Sequence, residues 1–228
     1  MQPPSHVLLD LDGTISDSSL GIGRSLRHAF TTCGYEPPSD EQVRAMIGPP
    51  FELSFPKIGI PPTDVERVIE AYRERYEDVG LFENAVYDGI PAMLAELHDD
   101  GHVISLATAK PQVTAIRIIE HFGFTDLFEV QAGATTEVGS SRRTKGEVIA
   151  HALERLGLPS AGGDHRVVMV GDRDHDVEGA SLHALPCLGV TWGFGSPAEL
   201  TGAGAVALVD RPSEVAAAVA ATYRSVRP

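Results

Sequence analysis

The sequence predicts an α/β fold, a doubly wound, Rossmann-like parallel sheet with an inserted α-helical bundle. First, short apolar runs alternate with segments of helical periodicity from residue 89 onward, as in parallel strands joined by right-handed crossover helices. Second, the apolar run 6–12 is separated from the others by a stretch whose apolar residues repeat only at helical spacing. We therefore expect a core made of 1–15 and 87–228 and an inserted helical cap domain, 16–86.

Length and charge narrow the classes of protein to consider. The chain has 228 residues, of which 43% are hydrophobic and 22% charged, which suits one soluble domain with an insertion or two small domains. A net charge of −14 argues against a nucleic acid polymer as partner, because phosphate backbones are bound by surfaces rich in Lys and Arg. Two distant cysteines, Cys33 and Cys187, and the lack of a signal peptide pattern or long apolar run favour a cytoplasmic protein without a membrane span.

The predicted insertion contains three helical patterns. The first covers residues 19–34, and the second follows Ser39, a plausible N-terminal cap. The third can be capped by Thr63 or Asp64. Its apolar face is predicted to consist of Val65, Val68, Ile69, Tyr72 and Tyr76.

The core elements follow in alternation. Thr144 and Glu147 form a capping-box pattern at the start of one helix, which Gly157 ends. The predicted strands are 6–12, 102–108, 128–134, 166–172, 186–192 and 205–210. The predicted helices are 89–100, 111–122, 144–156, 174–184, a short one from Ser196, and 212–226.

Acidic residues lie where two predicted strands end. Asp10 and Asp12 end the first strand, Asp172 ends the strand 166–172, and Asp176 follows it. Ligands of open parallel sheets gather at the carboxyl ends of the strands, and clustered carboxylates need a counter-ion. All-oxygen ligands favour Mg²⁺. The alternative is a set of exposed acids that begin turns.

The spacing of Asp10 and Asp12 suggests that the two carboxylates have different chemical roles. Residues two apart on an extended segment point to opposite sides, so Asp10 and Asp12 should not chelate a metal symmetrically. One carboxylate can act as a nucleophile while the other acts as general acid and base.

Two further polar residues lie at element ends. Lys145 falls in the first turn of its helix, where a cation opposes the helix dipole. This position suggests pairing with the acidic cluster and a bound anion, although a surface lysine is the alternative. Thr108 can donate its hydroxyl to an anion, aided by backbone N–H groups such as that of Ala109. The alternative is a threonine that satisfies the local backbone.

As an ordered set, these residues resemble the haloacid dehalogenase superfamily. The resemblance is carried by LLDLDGT (8–14), SLATAK (105–110), TKGEVI (144–149) and VVMVGDRDHD (167–176). All four segments occur in order and span the predicted core, and the intervening helices match the superfamily's inserted cap.

The resemblance implies Mg²⁺-dependent phosphoryl transfer. Asp10 would attack phosphorus to form an aspartyl-phosphate, and Asp12 would protonate the leaving oxygen and then activate water. Asp10, the carbonyl of Asp12 and Asp172 would hold Mg²⁺, with Asp176 acting through water or Lys145. The residues expected to bind the phosphoryl group are Thr108, Ala109 and Lys145.

The substrate class stays open at this level. The segment 171–200 looks like phosphoglycolate phosphatases and bacterial 5′-nucleotidases, and Arg173 is more like the nucleotidases. Asp12 argues against a dehalogenase, because carbon–halogen cleavage needs no proton for its leaving group. Three cap residues are candidates for contacts with a small phosphorylated metabolite: Arg24, Gly48 and Pro49. The alternative for Arg24 is a solvated helix residue, and the alternative for Pro49 is a proline that only stiffens its turn.

Three other functions are possible from the sequence. A sugar phosphomutase similar to β-phosphoglucomutase would share both aspartates and the cap, and would transfer the phosphoryl group to a second sugar. A phospho-accepting signalling module also uses acids and a lysine, but the insertion argues against it. A catalytically idle regulator is disfavoured by the intact set of site residues. The sequence leaves monomer and homodimer open.

Overall fold

Six parallel strands form one sheet, in the order Val130–Ala134, Val103–Pro111, His6–Leu9, Val167–Gly171, Cys187–Val190 and Ala207–Val209. A computed structural model describes residues 5–135, 142–158 and 166–225. The strands are β1 (His6–Leu9), β2 (Ser16–Asp17), β3 (Ala85–Val86), β4 (Val103–Pro111), β5 (Val130–Ala134), β6 (Val167–Gly171), β7 (Cys187–Val190) and β8 (Ala207–Val209). The helices are α1 (Ser19–Thr32), α2 (Asp40–Met46), α3 (Phe51–Ser54), α4 (Val65–Asp78), α5 (Ile90–Asp99), α6 (Gln112–His121), α7 (Lys145–Arg155), α8 (Asp174–Ser181), α9 (Pro197–Ala203) and α10 (Val215–Ser225). The predicted α/β class and doubly wound parallel sheet are confirmed.

The centre of the sheet is β1, which pairs with β4 on one side and β6 on the other. Leu9 lies opposite Leu106 in one pair and opposite Val170 in the other. The chain winds outward through β4 and β5, then returns to β6 and winds the other way. This reversal places the topological switch point, where open parallel sheets bind ligands, at the carboxyl ends of β1 and β6.

The central strands β1 and β6 are apolar apart from His6, because both faces of the sheet are covered. Every residue of β1 and β6 is buried, the pattern typical of parallel sheets. Leu8 and Met169 share one hydrophobic cluster with Val148 and Ile149 of α7. This packing anchors the start of α7 against the sheet.

Residues 17–85 form one compact unit, and the described residues on either side of it form the other. The first unit contains α1 to α4, and Phe55 is fully buried within it beside the ring of Phe30. The predicted cap at Ser39 is confirmed, since its hydroxyl accepts from the Gln42 N–H. The assignment of 16–86 as a cap remains a prediction.

Several element boundaries differ from the predictions. No side chain caps α4, because the Asp64 carboxylate is instead held by Tyr35 and Arg67. The first strand ends at Leu9 rather than at residue 12, since the N–H groups of Thr14 to Ser16 turn back to the Leu11 carbonyl. The last predicted helix, 212–226, has its final residue outside the described part of the chain.

Two further properties bear on the predictions. None of the helices in the described residues is both long enough and apolar enough to span a membrane. Cys33 and Cys187 are free thiols.

Candidate active site

The acidic residues singled out in the sequence lie just beyond the ends of two adjacent strands. Asp10 directly follows β1, and its N–H donates to the carbonyl of Val170 in β6 at 3.0 Å. Asp172 directly follows β6 and is fully buried, and Asp10 is 4% exposed. The switch point of the sheet therefore carries two buried carboxylates.

Lys145 is buried between two of the carboxylates. Its Nζ lies 2.8 Å from Asp10 Oδ1 and 2.7 Å from Asp176 Oδ1, and it donates to the Ala107 carbonyl at 2.9 Å. Lys145 therefore makes one hydrogen bond to a backbone carbonyl and two close ion pairs with buried carboxylates. The alternative of a surface lysine is wrong, because this side chain is 1% exposed.

Local sequence explains how Lys145 reaches this position. The predicted capping box is confirmed: Thr144 accepts from the Glu147 N–H while the Glu147 side chain accepts from the Thr144 N–H. This cap makes Lys145 the first residue of α7. The helix α8 approaches closely because Gly179 has no side chain; a Cβ there would lie 2.8 Å from Lys145 Cγ.

The electrostatics of this group are strongly coupled. Burial alone would lower the pKa of Lys145, but the carboxylates of Asp10 and Asp176 raise it above its ordinary value. Burial would raise the pKa of Asp176, but the Lys145 ammonium lowers it below the usual range. Lys145 and Asp176 are therefore both charged at neutral pH.

Asp172, unlike Asp10 and Asp176, makes no ion pair with a lysine of the described residues. Burial, together with the negative charges of Asp176 and Asp10, raises the pKa of Asp172 to about 8. Its Oδ2 accepts from the Phe194 N–H at 2.7 Å, and its Oδ1 accepts a longer bond from Thr14 Oγ1 at 3.3 Å. These bonds fix the orientation of the carboxylate without neutralising it.

Gly13 leaves the space that the Asp172 carboxylate occupies. Its φ is +85°, and a Cβ at this position would lie 2.1 Å from Asp172 Oδ2. Glycine is therefore required at position 13 for a steric reason as well as for its positive φ.

A second lysine pairs with the other aspartate of the first motif. Lys110 Nζ lies 2.6 Å from Asp12 Oδ2, and the two side chains are 6% and 14% exposed. Asp12 Oδ1 is buried and accepts no hydrogen bond from the described residues. Asp10 and Asp12 are thus held by different lysines, in keeping with their predicted opposite directions.

The charge balance of the site suits a divalent cation. Asp10, His175 and Asp176 offer ligand atoms within 4.8 Å of one another, but Lys145 Nζ already contacts the two carboxylates of that group. Full ionisation of Asp10, Asp172 and Asp176 would set three negative charges against the single charge of Lys145. The raised pKa of Asp172 reflects this excess of negative charge, which a bound cation would offset. A hard cation therefore fits beside Asp10 and Asp172 better than between Asp10 and Asp176.

The predicted phosphate-binding residues end β4. Thr108 is buried, and its hydroxyl oxygen accepts from the Lys110 N–H at 3.2 Å. Ala109 is half-buried beside it. The hydroxyl proton of Thr108 is still available to an anion, whereas the Lys145 ammonium already contacts two carboxylates and a carbonyl. Both roles remain predictions.

The specificity candidates lie in the unit 17–85, whereas the acidic cluster belongs to the other unit. Arg24 pairs with Glu83 at 2.6 Å and is 53% exposed. Gly48, with a φ of +108°, is exposed, and Pro49 is half-buried. Their proposed role in substrate choice remains a prediction.

Sequence reasoning missed three contributors to the site. Lys110 lies within a quoted motif and follows the same pattern of polar residues at strand ends, so it could have been found. His175 is placed beside Asp176, whose charge raises the pKa of the imidazole against the lowering effect of burial. The Phe194 N–H comes from a loop, and no local signal in the sequence identifies it.

Known proteins share both the sequence pattern and the fold. The profile of a family described as haloacid dehalogenase-like hydrolase matches residues 7–190. The chain is 39% identical to a 5′-nucleotidase of Pseudomonas aeruginosa, over 86% of each chain. The crystal structure of a predicted phosphatase from Clostridium acetobutylicum superposes with a TM-score of 0.87 at 36% identity, covering 96% of this chain and 99% of that one.

Another relative has a differently described activity. The tyrosine-protein kinase PtkA of Mycobacterium tuberculosis is 42% identical over 195 residues, which is 85% of this chain. The chain spans 64% of the length of that relative.

Proposed function

The chain belongs to the haloacid dehalogenase-like hydrolases, and on that premise we propose that it hydrolyses a small phosphomonoester through an aspartyl-phosphate on Asp10. One observation carries the proposal: the Asp10 carboxylate is fixed by Lys145 at the switch point of the sheet, beside the buried carboxylate of Asp172. Phosphoryl transfer depends mainly on positioning and charge stabilisation, and this arrangement supplies both.

In the first half-reaction, Asp10 attacks phosphorus while the bond to the leaving oxygen breaks. Lys145 holds the nucleophile in a single orientation, because it also pairs with the buried Asp176. Asp12 gives its proton to the leaving oxygen. In the second half-reaction, Asp12 takes a proton from water as the water oxygen attacks phosphorus and releases Asp10.

Mg²⁺ is the proposed cofactor, held by Asp10, the Asp12 carbonyl and Asp172. When bound, the cation neutralises charge on the phosphoryl oxygens. Asp172 is prepared for this role, since Phe194 and Thr14 fix its carboxylate. Asp176 acts in this proposal through Lys145, which it contacts directly. Thr108 and the Ala109 N–H would bind the phosphoryl group.

Nucleoside 5′-monophosphates are the substrate class that we favour. The 5′-nucleotidase relative supports this choice, since the match covers 86% of both chains, and Arg173 agrees with it. Phosphoglycolate is the second candidate by resemblance. We assign substrate choice to the cap residues, Arg24, Gly48 and Pro49 in particular.

Transfer to an acceptor other than water would use the same phosphorylated Asp10. A phosphomutase would pass the group to a second sugar hydroxyl, and the name of the mycobacterial relative describes transfer to tyrosine. Inorganic phosphate released with no acceptor present favours the hydrolase over both alternatives.

The test is a phosphate-release screen over nucleoside monophosphates, phosphoglycolate, sugar phosphates and pyrophosphate, with Mg²⁺ and with EDTA. Asp10→Asn should abolish release and should leave no hydroxylamine-sensitive acyl phosphate on the protein, because the amide is not a nucleophile. EDTA should abolish turnover and added Mg²⁺ should restore it.

Asp126→Asn is the matched control, because Asp126 is an exposed aspartate of a short turn. It should retain wild-type rates. Full activity in EDTA would contradict the assigned cation, and turnover by Asp10→Asn near the wild-type rate would contradict the assigned nucleophile.

A further inference from the structure

The end of β4 is irregular where it approaches the acidic cluster. Thr108 lies opposite Gly133 of β5, but the next paired residues are Pro111 and Ala134, so the register shifts between them. Bulges of this kind change the direction of a side chain next to a site. Lys110 is inside the shifted segment.

Gly133 makes room for this bulge. A Cβ at Gly133 would lie 2.6 Å from Gln112 Cα and 2.8 Å from the Lys110 carbonyl oxygen. The Lys110 N–H donates to Thr108 Oγ1 at 3.2 Å, which closes the bulge locally. The backbone of the bulge therefore fixes the position of Lys110 independently of the contacts of its side chain.

The Lys110 ammonium engages only one of the two oxygens of Asp12. It lies 2.6 Å from Oδ2, whereas Oδ1 is buried and has no hydrogen-bond partner among the described residues. A pair this well buried loses little to solvent screening. The ion pair thus distinguishes the two carboxylate oxygens, which are chemically equivalent in an isolated aspartate.

We propose that Lys110 is a positioning residue that fixes Asp12 through Oδ2 and thereby assigns the proton-transfer role to Oδ1. The inference rests on the proposed phosphatase function and adds a residue to it. General acid catalysis requires the proton donor to lie within hydrogen-bond reach of the leaving oxygen. A carboxylate free to rotate would present either oxygen, or neither, in that place.

The proton balance follows from this assignment. Oδ1–H of Asp12 gives its proton to the leaving oxygen as the P–O bond breaks and the bond from Asp10 to phosphorus forms, releasing the alcohol. Oδ1 then takes a proton from water as the water oxygen attacks phosphorus and the Asp10–phosphorus bond breaks. Inorganic phosphate leaves, and Asp12 is again protonated at Oδ1.

The experiment compares two substrates that differ mainly in their need for a proton. Phenol, like the tyrosine side chain, has a pKa of about 10, so phenyl phosphate needs a general acid. The p-nitrophenolate ion leaves near neutral pH without one. We expect Lys110→Met to lower kcat/KM about 10²-fold for phenyl phosphate and less than about 10-fold for p-nitrophenyl phosphate.

A double-mutant cycle tests whether Lys110 acts through Asp12. Asp12→Asn should show the same substrate pattern, and adding Lys110→Met to it should change kcat/KM for phenyl phosphate by less than about twofold. Losses that multiply in the double variant would overturn the inference. So would an equal loss for both substrates in Lys110→Met, because a merely structural defect does not depend on the leaving group.

A second variant covers the case in which Lys110→Met does not fold. Gln has a shorter side chain and carries no charge, so Lys110→Gln should show the same selective loss. A folded Lys110→Gln protein with the wild-type ratio of the two kcat/KM values would overturn the inference. A wild-type protein inactive on both substrates and in the phosphate-release screen would instead overturn the proposed function, and the inference with it.

Discussion

Gly13→Ala adds a single methyl group but is expected to lower both the stability of the protein and its kcat/KM. The backbone cost is about 1–2 kcal/mol, because Gly13 has a φ of +85° and other residues are disfavoured there. The new Cβ would also lie 2.1 Å from Asp172 Oδ2, well short of the 3.4 Å of ordinary contact. Since Asp172 is fully buried, its carboxylate has to give up its bond from the Phe194 N–H, which costs about 1.5–3 kcal/mol more.

Gly101→Ala is the matched control. Gly101 has a φ of +78°, and a Cβ there would meet nothing within 4 Å, so only the backbone cost applies. Urea denaturation should show Gly13→Ala to be less stable than the control by about 1.5–3 kcal/mol. Displacement by about 1 Å of Asp172, the proposed metal ligand, should also lower kcat/KM roughly 10²-fold, while Gly101→Ala keeps wild-type kinetics. Equal losses of stability with unchanged kinetics in both variants would refute the reasoning.

Two other changes have defined outcomes. Lys145→Met should lower the free energy of unfolding, measured in urea, by about 3–5 kcal/mol, because two buried carboxylates lose their cation. The control is Lys57→Met, since Lys57 is exposed. Equal stability of the two variants would contradict the burial of Lys145. Arg75 lowers the pKa of Glu83 below its ordinary value of 4.5 against the raising effect of burial, with a smaller contribution from Arg24. The stability that this carboxylate contributes is present above pH 4.5 and is lost as the pH falls through the lowered value. Acid unfolding followed by circular dichroism should therefore depend less on pH in Glu83→Gln, and identical acid profiles would argue against the ion pair.

The polar residues at strand ends could be predicted because the strands themselves are continuous apolar runs. Asp10 and Asp172 follow such runs directly, and a doubly wound sheet brings their strands together at one edge. The capping box at Thr144 was equally readable, since it depends on residues three apart. These signals are local in sequence, and they are sufficient to predict most residues of the acidic cluster.

The remaining contacts depend on tertiary structure. The pairing of Lys110 with Asp12 needs a bulge in β4 that propensity does not encode, and the Phe194 N–H reaches Asp172 from a distant loop. The sequence left the burial of Lys145 undecided, because a lysine in the first turn of a helix fits a surface position as well as a pair with the acidic cluster. The structure makes it a structural residue as well as a site residue, so its removal should affect folding and not kinetics alone.

The position of β1 in the sheet has a consequence for how the protein reaches its native state. His6 pairs with Val103 on one side and with Val167 on the other, so the central strand completes its ladders only after most of the chain has been synthesised. Contacts between residues so distant in sequence are slow to form, because loop closure is entropically costly. The helical unit 17–85 relies on nearer neighbours and can condense earlier. The clustered carboxylates should therefore assemble among the last events of folding, and their mutual repulsion opposes only the final stage of the pathway.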